Sequence, residues 1–192
     1  MNRKITATCG QLQELLEDFG QQQGDGLSRL AQQIATMFAG GGQLMLAGSA
    51  AFQPIVQLLS GHFAYRLGFD RPALPAIALG SDPLLTAVMG NHGEFEQALV
   101  RHYRAVNSEN HLLLLFNDGS ASAPLRALRD EALGNDCQVA LLTANSNSDL
   151  LCREGVEICI DFGTEQVARQ LELGLFAGQL LCELVESELF GV

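Results

Sequence analysis

Two short loops carry the residue types best able to do chemistry in this chain. The first, Gly48-Ser49-Ala50-Ala51, follows an apolar run and precedes a stretch that Pro54 can open as a helix, since proline suits a first helical turn. Small residues there let a ligand approach backbone N–H groups at a helix N-terminus, a setting that favours anions. The second loop, Asn117-Asp118-Gly119-Ser120-Ala121-Ser122, offers hydroxyls and backbone donors after another apolar run. Each pattern serves equally well as a plain strand-to-helix connector. His62, His92, His102 and His111 show no metal-ligand spacing such as His-Glu-x-x-His, so neither a metal site nor a cofactor motif is read. Cys9, Cys137, Cys152, Cys159 and Cys182 are odd in number and contain no Cys-x-x-Cys pair. They are expected to be reduced thiols, with Cys137 and Cys159 acting as small hydrophobes in strand-like segments.

The elements that must hold these loops follow from hydrophobic periodicity. Apolar runs at 43–47, 75–79, 111–116, 137–143 and 156–160 lack strict alternation, as strands of a parallel sheet covered on both faces do. Helix-length stretches at 54–67, 95–106 and 123–133 separate them, and strand–helix alternation gives a doubly wound sheet with right-handed crossovers. Two helices are expected ahead of the sheet, one marked by Leu12, Leu15, Leu16 and Phe19, the next by Leu27, Leu30, Ile34 and Phe38. Glycines at 24 and 26 separate the two, and Gly40-Gly41-Gly42 stops the second. A last helix over about 164–188 is apolar around most of its circumference, which implies burial on several sides and subunit contacts. The expected organisation is one domain over 1–192, with a helical segment at 1–40, an α/β core at 43–161 and a C-terminal helix at 164–190. Ligands of open α/β sheets bind beyond the carboxyl ends of the strands. That directs attention to 48–52, 80–83, 117–122 and 144–148.

Composition narrows the function classes. Apolar residues make up 47% and charged residues 17% of the 192, with no Trp. So few charges imply that surface is hidden in partners, and an oligomer is expected. The net charge of −11 disfavours direct binding to nucleic acid, whose phosphates demand a concentrated basic surface. A basic protein partner is compatible with that charge. The longest apolar runs fall short of a membrane span, and Arg3 and Lys4 are not followed by a signal-peptide pattern. The expectation is a soluble, cytoplasmic protein with no membrane contact.

Longer motifs carry a family resemblance. Arg71-Pro72-Ala73-Leu74-Pro75-Ala76-Ile77-Ala78-Leu79, Asp82, Gly90-Asn91 and Leu181-Cys182-Glu183-Leu184-Val185-Glu186 resemble the phosphoheptose isomerases of the GmhA type. They equally resemble a sister group, the DnaA initiator-associating protein DiaA. The likeness runs from about residue 10 to the C-terminus in nearly constant spacing, and the run at 71–79 is its most specific part. It implies an α/β three-layer sandwich with a five-stranded parallel sheet, the flavodoxin-like SIS fold, with N-terminal and C-terminal helices for oligomerisation. It also implies homotetramers, or dimers, with phosphosugar-shaped sites at subunit interfaces.

The family's functional positions are eroded. Its first loop reads Gly-Asn-Gly-Gly-Ser-Ala-Ala, followed by a helix bearing His and, in the isomerases, a Glu four residues later. Without gaps, Gly48 and Ser49 fall on the opening Gly-Asn, Phe52 replaces the phosphate-holding Ser, Leu58 the His and His62 the Glu. A rival register with a deletion keeps Ser49 as phosphate ligand and puts Ile55 and Leu59 at the His and Glu positions. In the second loop, aligned on Gly119, the family's three Ser positions read Phe116, Asp118 and Ala121. In the last helix Arg169 and Glu172 are kept, Gln becomes Leu171, and two His become Gly174 and Gln179. No catalytic residue is therefore assigned. The residual phosphosugar-site positions are Gly48, Ser49, Asp82, Gly119, Ser120 and Ser122, and Phe52 and Phe116 are expected to fill the pocket. The resemblance then points to a non-catalytic SIS protein that binds a partner such as DnaA in replication initiation, with Leu189 and Phe190 as an anchor. An isomerase of sedoheptulose 7-phosphate, or a sensor of a carbohydrate derivative beside Asp118, are the alternatives.

Overall fold

The computed structural model describes residues 2–146, 149, 151–152 and 155–191. Five strands, β1 (Gln43–Gly48), β2 (Ala76–Ala78), β3 (His111–Phe116), β4 (Gln138–Thr143) and β5 (Val156–Asp161), form one parallel sheet in the order β2-β1-β3-β4-β5. Among the described residues the helices are α1 (Asn2–Ala39), α2 (Gln53–Ala64), α3 (Pro83–Asn91), α4 (Ala98–Val106), α5 (Ala123–Gly134) and α6 (Val167–Phe190). A 3-10 turn at Phe95–Gln97 leads into α4. β3 is buried along its whole length, as the unbroken run of Leu residues requires at the centre of a sheet covered on both faces.

Two cores sandwich that sheet. On one face α1, α2 and α6 bury Leu30, Ile34, Phe52, Leu59, Phe63 and Leu181 against Leu44, Leu46, Leu112 and Leu114. On the other, α4 and α5 bury Val100, Tyr103, Leu125 and Leu128 against Met45, Leu113, Leu115 and Leu141. Strand neighbours alternate between the faces, so each apolar run feeds both cores at once. The expected strands and the helices at 54–67, 123–133 and 164–188 are found with ends shifted by a few residues.

Three expectations need correction. The N-terminal pair is one 38-residue helix. Gly24 and Gly26 cost helix propensity of about 1 kcal/mol each, yet packing of Phe19, Leu27, Leu30 and Ile34 under α6 and β5 carries the helix through them. α3 was not foreseen. Asp82 starts it by accepting hydrogen bonds from the Leu84 and Leu85 N–H groups at 2.9 and 3.0 Å, with Pro83 in the first turn. Lastly, five reduced thiols were expected, but Cys152 and Cys159 are paired as a disulfide with Cα atoms 6.1 Å apart. Cys152 meets Cys159 of β5 at a separation a disulfide can span. Cys137 and Cys182 are free and buried, and burial pushes each thiol up to about 12.

The resemblance motif at 71–79 has a structural task. Arg71 Nε donates to Glu186 Oε1 at 2.6 Å, and its other nitrogens donate to the carbonyls of His62, Phe63 and Pro72. Both side chains are essentially removed from solvent. This ion pair locks the C-terminal end of α2 and the 65–74 loop to α6.

Candidate functional site

β1 and β3 lie side by side, yet the helices after them leave for opposite faces. α2 packs with α6 in one core, and α5 packs in the other. Loops diverging from adjacent strands open a crevice at their carboxyl ends, the usual ligand position in such sheets. The loops are held together from below: the Ser49 N–H donates to the Phe116 carbonyl at 2.9 Å, continuing the β1–β3 register one step past the strands.

A cavity of about 360 Å³ fills this crevice. Its polar lining comes from Ser49, Gln53, Thr86, Asp118, Ser120 and Ser122, and Phe95 and Leu99 contribute apolar lining. The two loops singled out in the sequence are thus brought together. Ser49 is 7% exposed and its Oγ is buried without a hydrogen-bond partner. Gln53 is fixed by donating through Nε2 to the Leu79 carbonyl at 2.7 Å, which ties α2 to the end of β2. Gly80, at φ +75°, lines the same wall, and its N–H donates to His102 Nδ1 at 3.1 Å.

The second loop is set from behind. Asn117 is fully buried and donates through Nδ2 to the Ser120 carbonyl at 3.0 Å and to Asp149 Oδ2 at 2.8 Å. Thr143 donates to the same carboxylate oxygen at 2.5 Å, and the Leu151 N–H donates to the other at 2.8 Å. The buried Asp149 carboxylate is therefore satisfied by three donors, and it shapes the loop without entering the cavity. Asp118 accepts from the Ser120 N–H at 3.0 Å, and Ser122 caps α5 by accepting from the Leu125 N–H at 3.4 Å. Gly119 sits at φ +80° with Ala144 Cβ 3.2 Å from where its own Cβ would be, so no larger residue turns the chain there.

Of the sequence-derived positions, Gly48, Ser49, Ser120 and Ser122 line the cavity. Gly119 instead lines a smaller depression of about 200 Å³, shared with Ser120, Ser122, Arg126 and Asp149. Asp82 caps α3 and does not line the cavity. Of the segment 144–148, Asn147 and Ser148 lie outside the described residues. Asp149 was missed, because a lone Asp in a polar stretch gives no sign that it will be buried against Asn117.

Phe52 and Phe116 fill space, but in the core and not in this cavity. The Phe52 ring is fully buried, stacked on Phe162 with centroids 5.5 Å apart and tilted against Phe116 at 5.9 Å. A Cβ added to Gly174 would lie 2.5 Å from the edge of the Phe52 ring. The aligned Ser position and one of the aligned His positions are thus neighbours, and Phe52 occupies the room that a side chain at 174 would need. Leu59 stands in the same relation to Gly178. Leu58 is exposed on the outer side of α2, whereas Leu59 is buried. The ungapped register thereby places Leu58 at the surface and His62 half-buried with its Nε2 out of solvent, and the rival register places one of its pair, Leu59, inside the core. Leu189 is half-buried against the α6 core, and Phe190, 37% exposed, meets Phe69 edge-on at 5.8 Å. The proposed terminal anchor is folded onto the body rather than free.

Asp118 is the one ionisable side chain among the described residues lining the cavity. Two unit charges 4 Å apart repel by about 4 kcal/mol at an effective dielectric of 20, so a phosphate seated beside this carboxylate is strongly opposed. Among the described residues, no group of three His, Cys, Asp or Glu is placed to hold a metal ion.

Sheet order, crevice and helical layers are those of the SIS phosphosugar isomerase fold. The structure is similar to a phosphoheptose isomerase from Francisella tularensis, with a TM-score of 0.87 at 21% identity over 96% of this chain and 97% of that one. It is likewise similar to phosphoheptose isomerase GmhA from Neisseria gonorrhoeae, with a TM-score of 0.85 at 15% identity over 97% and 98%. In sequence, the chain is 28% identical over 163 residues to a phosphoheptose isomerase of Burkholderia pseudomallei, covering 85% of this chain and 82% of that protein. It is 26% identical over 169 residues to the DnaA initiator-associating protein DiaA of Erwinia tasmaniensis, covering 86% and 85%. No family model matches the chain. The relatives are therefore those that the motifs at 71–79 and 181–186 indicated. No helix among the described residues is long and apolar enough to cross a membrane.

Proposed function

We propose that this chain is a non-catalytic relative of the SIS isomerases, a homo-oligomer that acts by binding in the manner of DiaA, with a DnaA-type protein as partner. The observation that carries this is the packing at Phe52 and Gly174. Aldose–ketose isomerisation needs a base at the C2 proton and an acid at the carbonyl oxygen. The positions aligned with those groups hold Leu58, His62, Leu171, Gly174 and Gln179, of which His62 alone can carry a proton, and the Phe52 ring closes the space beside Gly174. The net charge of −11 supports a basic protein partner over nucleic acid.

A second reading, a phosphoheptose isomerase, is favoured by the names that most of the relatives carry. The two separate in one experiment: an isomerase assay of the pure protein on sedoheptulose 7-phosphate beside a DnaA pull-down. Retention of DnaA without turnover is expected, and turnover well above background would sink the non-catalytic reading. A Phe190→Ala variant that retained DnaA in full would remove the terminal anchor and leave the rest of the proposal standing.

A further inference from the structure

We infer that the cavity between the β1 and β3 loops binds an uncharged sugar and rejects the corresponding phosphate ester. This rests on the non-catalytic reading above and names the ligand class for its cavity. Three observations carry it.

The first is Ser49. The residue lines the cavity and is more than nine-tenths buried, and its Oγ has no hydrogen-bond partner. Buried hydroxyls are ordinarily paired, so this oxygen is an unused donor and acceptor in a residue of the cavity lining. The second is the balance of charge. The N-terminal ends of α2 and α5 both reach the cavity and would attract an anion. α5 is already capped by Ser122, however, and the Asp118 carboxylate stands just ahead of it. No Lys, Arg or His lines the wall to neutralise a phosphate. A carboxylate accepts hydrogen bonds from sugar hydroxyls at no such cost.

The third is shape. Phe95, 53% exposed, and Leu99 add apolar surface to a lining that also holds Ser49, Ser120 and Ser122. A sugar ring has apolar faces and a hydroxylated rim, and the cavity lining offers both kinds of surface. Its volume of about 360 Å³ lies at the small end of ligand pockets, roughly 300–1,000 Å³, which suits a monosaccharide.

The test is calorimetric titration of the full chain with sedoheptulose, mannose and sedoheptulose 7-phosphate, run on wild type, Ser49→Ala and Asp118→Asn. Thermal unfolding checks that each variant is folded. Binding of at least one neutral sugar is expected, tenfold or more tighter than the phosphate ester. Either variant should weaken that sugar about tenfold, and Asp118→Asn should at the same time improve the ester. Tighter binding of the ester by wild type, absence of binding by both neutral sugars, or sugar binding untouched by both variants would each overturn the inference. Turnover of the ester would instead strike the non-catalytic reading, so the two failures are distinguishable.

Discussion

Gly174→Ala is expected to change sign according to what stands at position 52. In the native chain the new Cβ would meet the Phe52 ring edge at 2.5 Å, and Phe162 follows at 3.5 Å, an ordinary contact. An aromatic ring stacked between Phe116 and Phe162 cannot turn aside as a flexible side-chain end can. Overpacking of this kind costs about 1–3 kcal/mol. Against it stands a gain of about 1 kcal/mol, because Gly174 lies inside α6 and alanine is the better helix former. The single variant should therefore lose about 1 kcal/mol, or roughly 3 °C in Tm for a chain of this size. Phe52→Ala alone should cost about 3–5 kcal/mol through lost burial and the cavity left behind. In that background the obstruction is gone, and Gly174→Ala should stabilise by about 1 kcal/mol. The coupling of about 2 kcal/mol is within reach of a double-mutant cycle, read by urea unfolding of the four proteins at one fixed concentration. An equal loss from Gly174→Ala in both backgrounds would show that Phe52 is not what fills the space. The argument for an occluded catalytic position would fall with it.

Two further outcomes follow from buried groups. Glu186→Ala strands the Arg71 guanidinium in a site removed from solvent and should cost about 3–5 kcal/mol in urea unfolding; a loss near that of an exposed ion pair would refute the clamp between α2 and α6. His111, whose Nε2 lies 2.7 Å from the Tyr103 hydroxyl, is held by burial below its ordinary value of 6.5. The unfolded chain therefore binds the proton more readily, and stability should be lost as pH falls below about 6.5. Tm measured from pH 7.5 to 5 should fall more steeply for wild type than for His111→Gln, and identical slopes would refute the assignment.

Much of the fold was legible because burial on both faces writes itself as continuous apolar runs. The segment 111–116 reads as a central strand and is one, buried at every residue. The capping signals were less well read. Asp82-Pro83 is a helix start by type, and Leu84, Leu85, Val88 and Met89 follow at helical spacing, yet α3 was passed over and buries no residue fully. The glycines at 24 and 26 misled in the other direction, because local propensity near 1 kcal/mol yields to packing along a helix that leans on α6 and β5.

For the site, strand–helix order and the Gly/Ser connectors at 48–51 and 117–122 already told which loops lie at the carboxyl ends of the strands. The sequence also shows which acid–base residue types are missing. How the remaining groups are used came out of the folded arrangement. It spends Asp82 on a helix cap, recruits the unremarked Asp149 to hold Asn117, and leaves Ser49 Oγ buried without a partner. It also reveals that Phe52 and Gly174, distant in the chain, share one space. Such facts depend on which side chains meet across elements, and the spacing of residues along a chain does not encode that contact.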